Sequence, residues 1–232
     1  PGRGLQITEG KSPYFHALNR GKRSILLDLK NEAGQEVFWR LVRTADVFHN
    51  NMRYGVMERL GVTFDRLQAA NPRCILSNAS GWGHLGPDRF DGAMDTLAQA
   101  RGGFMSVTGE GEEGIPTMAG FPQADHVGAL VSGYSIVLAL LHRERTGEAQ
   151  EVNTSLYGSQ INIQSFGITA AMWSGVTRGR INHSQRPPTW QHYQGSDGKW
   201  FMIGALPPDK WWHEFCEVMG SEELANDPYR TQ

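Results

Sequence analysis

The sequence predicts an α/β fold, a parallel sheet with flanking helices, followed by the start of a smaller α+β unit. Three observations carry this expectation. Short apolar runs alternate with segments of helical period through the first half of the chain. A long apolar stretch, residues 127–141, ends in a basic cluster and Gly147. After a polar stretch holding two glycines and two prolines, a hairpin pattern leads into an amphipathic helix.

Taken in order, residues 1–13 are Gly-rich and polar and read as a loop. Residues 24–29, SILLDL, are an apolar run consistent with a buried strand. Between Asn31 and Thr44 apolar residues recur at helical spacing, with Val37, Phe38, Leu41 and Val42 on one side. Residues 46–51, DVFHNN, make a strand and its loop, and this β-α-β order implies parallel strands. Ligands of such sheets bind beyond the carboxyl ends of the strands, where Asn51 falls. Residues 52–61 hold a short helix, and residues 63–70 another, with Thr63 as its N-cap and Asn71-Pro72 as its stop. Residues 74–79 read as a strand.

The Gly-rich turn at 80–87 lacks both the Lys-Ser/Thr ending of a P-loop and the spacing of a dinucleotide site, which argues against nucleotide hydrolysis and hydride transfer. Residues 92–103 form a helix with a Gly stop. Residues 151–156 read as a strand, 157–173 as one helix and 174–188 as a linker. The hairpin spans residues 191–203. In the helix at 207–220, Trp211, Trp212, Phe215 and Val218 read as core because their spacing is helical.

Within 127–141 only Ser132, Tyr134 and Ser135 are neither apolar nor small, so this segment reads as a helix buried on all faces. It is too short, and too soon charged, to span a bilayer. Gly128, Ser132 and Gly133 are poor helix formers and point to close packing or binding near its start. Pro122 places Asp125 at or within the first turn, where free N–H groups and the helix dipole favour an ionised carboxylate. An aspartate at such a place is ordinarily an N-cap.

A chain of 232 residues with formal net charge −2 forms one or two domains with a substantial core. Without an acidic or basic block, neither a nucleic-acid nor a membrane partner is expected. Two cysteines, Cys74 and Cys216, suit a reducing cytoplasm better than a disulfide framework or a metal-binding pair. No secretory signal is visible. The chain begins at Pro1 and stops at Gln232 without a terminal pattern, so it reads as a fragment.

Asp125, the long helix, Thr146-Gly147, Gln150 and the run Val152-Asn153-Thr154-Ser155-Leu156 resemble the segment that holds the catalytic aspartate of the class III coenzyme A transferases, the formyl-CoA and carnitine CoA-transferase (CaiB/BaiF) family. Ala124, Ala149 and Asn153 depart from residues common in that family, and none of these changes removes the carboxylate. The stretch Asn19-Arg20-x-Lys22-Arg23-Ser24-x-x-Leu27-Asp28-Leu29-Lys30 resembles a second family signature, and residues 52–61, with Arg59, a third. The resemblance implies a Rossmann-like large domain that binds CoA in residues 1–158, with its first part missing. It implies a helix and linker at 159–188, and the start of a small domain at 189–232.

By the same resemblance Asp125 is the nucleophile, and Lys22, Arg23, Lys30, Asn51 and Arg59 are contacts to coenzyme A. A ligand with several phosphate charges calls for Lys and Arg, although such residues at strand ends are ordinarily solvated surface. Tyr14, Asp95 and Gln99 are implied on the substrate side, with Gln99 or Gln150 and backbone N–H groups as oxyanion donors. CoA enters as a thioester substrate, with no tightly bound cofactor and no metal. The partners are an acyl-CoA, a carboxylic acid and, when full length, a second chain in an interlocked homodimer. Asp125 would attack the donor thioester to give a mixed anhydride. The thiolate would return to form an aspartyl-CoA thioester, and an acceptor carboxylate would complete the exchange through a second anhydride.

Two other readings stand beside this one. An α-methylacyl-CoA racemase of the same fold carries a His before the residue matching Asp95, where this chain has Met94, and a thioether cannot carry a proton. His126 points about 100° round the helix from Asp125. The third reading is a non-catalytic CoA-binding remnant.

Overall fold

The computed structural model describes residues 12–226. The expected loop at residues 1–13 therefore falls largely outside the described residues.

Three parallel strands form the central sheet in the order β1 (Val47–Asn50), β2 (Ile75–Ser80) and β3 (Glu151–Ser155). Two side-chain caps start the helices that precede and connect β1 and β2. Asn31 accepts the Gly34 N–H at the head of α2 (Glu32–Val42), and Thr63 accepts the Arg66 N–H at the head of α4 (Phe64–Ala70), so each satisfies a donor the helix cannot. With the short helix α3 (Val56–Arg59) they cover one face of β1 and β2. Phe38, Val42, Met57, Val62, Leu67, Cys74 and Leu76 are buried together there.

The opposite face of β2 and β3 is covered by α7 (Gln123–Thr146), a helix of 24 residues that runs antiparallel to the strands. Its direction follows from three contacts. The Arg143 guanidinium donates to the carbonyls of Asp46 and Arg73, just before β1 and β2. Ser132 pairs with Thr154 at 2.6 Å in the middle of α7, and Gly128 lies against Leu156 and Ser159 beyond the end of β3. The helix N-terminus is thereby held at the carboxyl edge of the sheet.

The expectation that this segment is too short to span a bilayer is corrected: α7 extends beyond residues 127–141 at both ends and by length and composition is apolar enough to cross a membrane. Its covered side nevertheless holds Gln123, Ser132 and Arg143 beside Ala124, Gly128 and Ala139, and two of these polar side chains bond to the sheet, as in the core helix of an α/β unit. The expectation of burial on all faces is corrected: Leu130, Tyr134 and Val137 are exposed in the described chain. Apolar composition permits burial, but only a neighbouring element supplies it.

The remaining elements are α1 (Pro13–Leu18), α5 (Asp95–Arg101), α6 (Phe104–Val107), α8 (Leu156–Ile163), α9 (Ser165–Ser174), a short 3-10 turn (His183–Gln185), a hairpin of β4 (Trp190–Gln194) and β5 (Trp200–Gly204), α10 (Pro208–Val218) and α11 (Glu222–Ala225). Three details differ from expectation. Residues 24–29 are not a strand: they join no ladder among the described residues, and Leu26 is 98% exposed. A strand requires a partner for its N–H and C=O groups as well as an apolar sequence. The helix expected at 157–173 breaks at Gln164, whose side chain donates to the carbonyls of Gly102 and Gln160 and ties the break to the end of α5. In α10, Trp212 is buried and bonds to the Leu224 carbonyl, whereas Trp211 and Val218 are exposed because the helix buries one narrow side.

Candidate active site

Asp125 is the third residue of α7, and Pro122 occupies the N-cap position without a side-chain cap bond. Among the described residues the Asp125 carboxylate accepts no hydrogen bond, so it does not serve as an N-cap. The side chain is left open to solvent at one side, beyond the carboxyl edge of the sheet where ligands of this architecture bind.

The surroundings of Asp125 come from four segments. At the head of α5, Asp95 accepts the Asp125 main-chain N–H on Oδ1 at 3.1 Å. Asp95 Oδ2 accepts from Gln99 Nε2 at 2.6 Å, and Gln99 Oε1 accepts the Ala119 N–H at 2.9 Å. Gln99 is fully buried, whereas Asp95 is half-buried. On α7 itself, the His126 ring packs against Phe121 with centroids 5.9 Å apart, and its Nε2 is buried without a partner among the described residues. Burial, then the nearby Asp95 charge, pushes the Asp125 carboxyl above the usual carboxylate range, while His126 pulls it down. The net direction opposes the helix dipole, which favours the ionised form.

The loop after β2 packs beside this wall. Gly81 approaches Ala93 so closely that a Cβ on it would lie 2.0 Å from the alanine methyl, and the Gly81 carbonyl accepts the Tyr157 N–H at the start of α8. Met94 is the N-cap residue of α5 and is exposed, so the position next to Asp95 has no proton-carrying side chain.

The other sequence-predicted residues are distributed over the carboxyl side and the chain's first described segment. Asn51 follows the end of β1 and is exposed, and Arg59 closes α3 with its side chain in solvent. Arg23 and Lys30 are also exposed, and among the described residues neither they nor Arg59 form an ion pair. Lys22 is tied back to the Leu18 carbonyl at 2.8 Å and to Asn19 Oδ1 at 3.1 Å. Tyr14 lies on α1, which buries none of its residues. Among the described residues no side-chain hydrogen bond links these six to Asp125, and of the predicted set only Asp95 and Gln99 are joined to it. Ala119 belongs to the site through its backbone N–H, for which a sequence carries no signal.

The model of CoA-transferase family III matches residues 1–232 of the chain. The chain belongs to that family. A relative named acetyl-CoA:oxalate CoA-transferase, from Acetobacter aceti, is 36% identical over 94% of this family III chain and 56% of its own length. Succinyl-CoA:mesaconate CoA-transferase from Haloarcula hispanica is 34% identical over 94% of the chain and 56% of its own. A crystal structure of a CaiB/BaiF family protein from Brucella suis superposes with a TM-score of 0.84 at 33% identity, covering 98% of this chain and 60% of that one. The family III chain thus spans little more than half the length of these relatives, and its parallel sheet, flanking helices and small antiparallel pair are those of the solved family structure.

Proposed function

We propose that this chain is part of a CoA-transferase that moves coenzyme A from an acyl-CoA to a carboxylic acid, with Asp125 as the nucleophile. The observation that carries the reading is a carboxylate at the head of the core helix that accepts no hydrogen bond among the described residues and stands open beyond the carboxyl edge of the sheet. The names of the relatives support it, since each pairs a CoA thioester with a carboxylic acid.

In the first step an Asp125 oxygen bonds to the thioester carbon and the C–S bond breaks, releasing thiolate and leaving a mixed anhydride. The thiolate then attacks the aspartyl carbonyl carbon, the anhydride C–O bond breaks, and the donor leaves as a free carboxylate. The acceptor carboxylate attacks the resulting aspartyl-CoA thioester, expelling thiolate. That thiolate takes the acceptor's acyl group and frees the Asp125 carboxylate. Atoms and charge balance at each step without an outside acid or oxidant. A carboxyl whose proton affinity is raised is a stronger nucleophile once ionised, which suits attack on a thioester.

Lys22, Arg23, Lys30, Asn51 and Arg59 are our proposed contacts to the nucleotide end of CoA, and Tyr14 to the acyl side, while both Asp95 oxygens are engaged by Gln99 and the Asp125 main chain. The setting is a cytoplasm, in which the free, buried thiols of Cys74 and Cys216 remain reduced. The exposed Met94 in the place of an acid/base group disfavours α-proton exchange.

The test is capture of the intermediate. Incubation with acyl-CoA followed by hydroxylamine should convert Asp125 to its hydroxamate, located by peptide mass spectrometry, and Asp125→Ala should abolish both the adduct and acyl exchange. An adduct on another residue, or exchange at the parental rate in Asp125→Ala, overturns the proposal.

A further inference from the structure

The hydrogen bonds beneath Asp125 have a direction that the side-chain chemistry imposes. Ala119 N–H can only donate, so Gln99 must turn its oxygen to it and its NH2 towards α5. That NH2 needs an acceptor, which Asp95 Oδ2 supplies at 2.6 Å. Asp95 Oδ1 then remains for the Asp125 N–H, 30 residues further along the chain. Gln99 is 0% exposed, so no water can replace either bond at its amide. A fully buried glutamine with both ends engaged does not touch a ligand; it connects the loop before α7 to the first turn of α7.

We propose that Asp95 and Gln99 form a strut of fixed polarity that positions the Asp125 main chain against the loop carrying Ala119, and so holds the carboxylate where it reacts. The role in reaction rests on the reading of Asp125 as nucleophile; the strut itself does not. Asp95 and Gln99 are positioning residues here. Asp95, on α5, and His126, on α7, are the titratable groups whose charges act on the Asp125 carboxyl, so the strut also sets part of its proton affinity.

The polarity makes the idea testable by exchange of the two side chains. In Asp95→Asn one acceptor oxygen must serve two donors: turned to the Asp125 N–H it sets the new NH2 against the Gln99 NH2, turned to Gln99 it leaves the Asp125 N–H unbonded, and turning Gln99 over sets its NH2 against the Ala119 N–H. A donor is left without a partner in every case. In Gln99→Glu two carboxylates face each other. In the double variant D95N/Q99E, the amide introduced at position 95 accepts from Asp125 and donates to the carboxylate introduced at position 99. That carboxylate also accepts from Ala119, so every bond is restored and the charge stands one side chain further from Asp125.

Four full-length proteins, the parent, D95N, Q99E and D95N/Q99E, are compared by amide hydrogen exchange, by 13C NMR titration of the Asp125 carboxyl and by acyl-CoA exchange. Each single variant should speed exchange of the Ala119 or the Asp125 amide and lower kcat roughly ten- to a hundredfold with little change in KM for acyl-CoA. The double variant should recover both to within about threefold of the parent, a non-additivity that unconnected residues would not produce. The Asp125 titration midpoint should fall in D95N and stay low in D95N/Q99E, where geometry is restored and the neighbouring charge is not. Additive losses in the double variant, or single variants with parental amide exchange, overturn the strut. Absence of acyl exchange in the parent overturns the nucleophile reading instead, and the amide data still decide the strut.

Discussion

Arg143 anchors α7 far from its reactive end, and replacing it separates stability from chemistry. The side chain is 6% exposed and donates to the Arg73 carbonyl at 2.7 Å, the Asp46 carbonyl at 3.3 Å and Asp46 Oδ1 at 2.9 Å. Arg143→Met keeps most of the volume and removes all three bonds, whose losses are unequal. The Asp46 carbonyl keeps the Ile75 N–H at 3.0 Å. The Asp46 carboxylate is 77% exposed, so its ion pair is worth about 0.2–1 kcal/mol. The Arg73 carbonyl loses a charged donor, worth about 1.5–3 kcal/mol. Relief at the guanidinium Nε, buried without a partner among the described residues, offsets part of this.

The net expectation for Arg143→Met is a loss of about 2 kcal/mol, or about 4–8 °C in Tm for a chain of this size. Asp46→Ala removes only the exposed partner and should cost about 0.5 kcal/mol. Both are read from urea and thermal unfolding followed by circular dichroism. Since Arg143 and Asp125 are about 27 Å apart along the helix, the hydroxylamine-trappable acylation per folded molecule should not change. If Asp46→Ala costs as much as Arg143→Met, or Arg143→Met costs nothing, the assignment of the anchoring energy to the backbone carbonyl is wrong.

Further expectations concern Asp125 and two glycines. The folded protein holds the Asp125 proton more tightly than the unfolded chain, so the stability this site contributes is present below the ordinary aspartate value and is lost as pH rises through the raised folded one. Asp125→Asn should therefore melt above the parent at neutral pH, with the difference vanishing below the ordinary aspartate range; equal melting at both pH values contradicts the assigned shift. Gly133, in the open middle of α7, has nothing within 4 Å of an added Cβ, and Gly133→Ala should stabilise by about 0.5–1 kcal/mol through helix propensity. Gly102→Ala should cost about 1–3 kcal/mol, because its methyl would lie 2.4 Å from Gln160 Cβ and 2.7 Å from the Ala98 carbonyl oxygen. Chemical denaturation of the pair checks the contrast.

Local features were legible wherever the physics is local. Thr63 caps α4 as read, because a cap satisfies a donor three residues away, and Asn31 caps α2 in the same way in the structure. Gly147 ends α7 in a left-handed conformation that suits glycine. The parallel sheet and the hairpin stand in the structure, but the β-α-β unit that forms runs from β1 through α4 to β2 and not from residues 24–29 to β1. The run at 24–29 misled because a strand is defined by a neighbour, and the helix at 157–173 because its break answers to Gly102, more than fifty residues earlier in the chain.

For the candidate site, the sequence by itself determined the presence of one carboxylate in the first turn of a long apolar helix, because Pro122, the apolar run and Gly147 are short-range signals. It also determined the family. Tertiary structure alone decided that this carboxylate is free of the capping role, that Asp95 bonds its main chain across 30 residues, and that Gln99 is sealed behind it. Those facts depend on α5 and α7 packing at one edge of the sheet. Contacts between segments distant in the chain form only when burial brings their surfaces together, and no local pattern encodes which donor will then meet which acceptor.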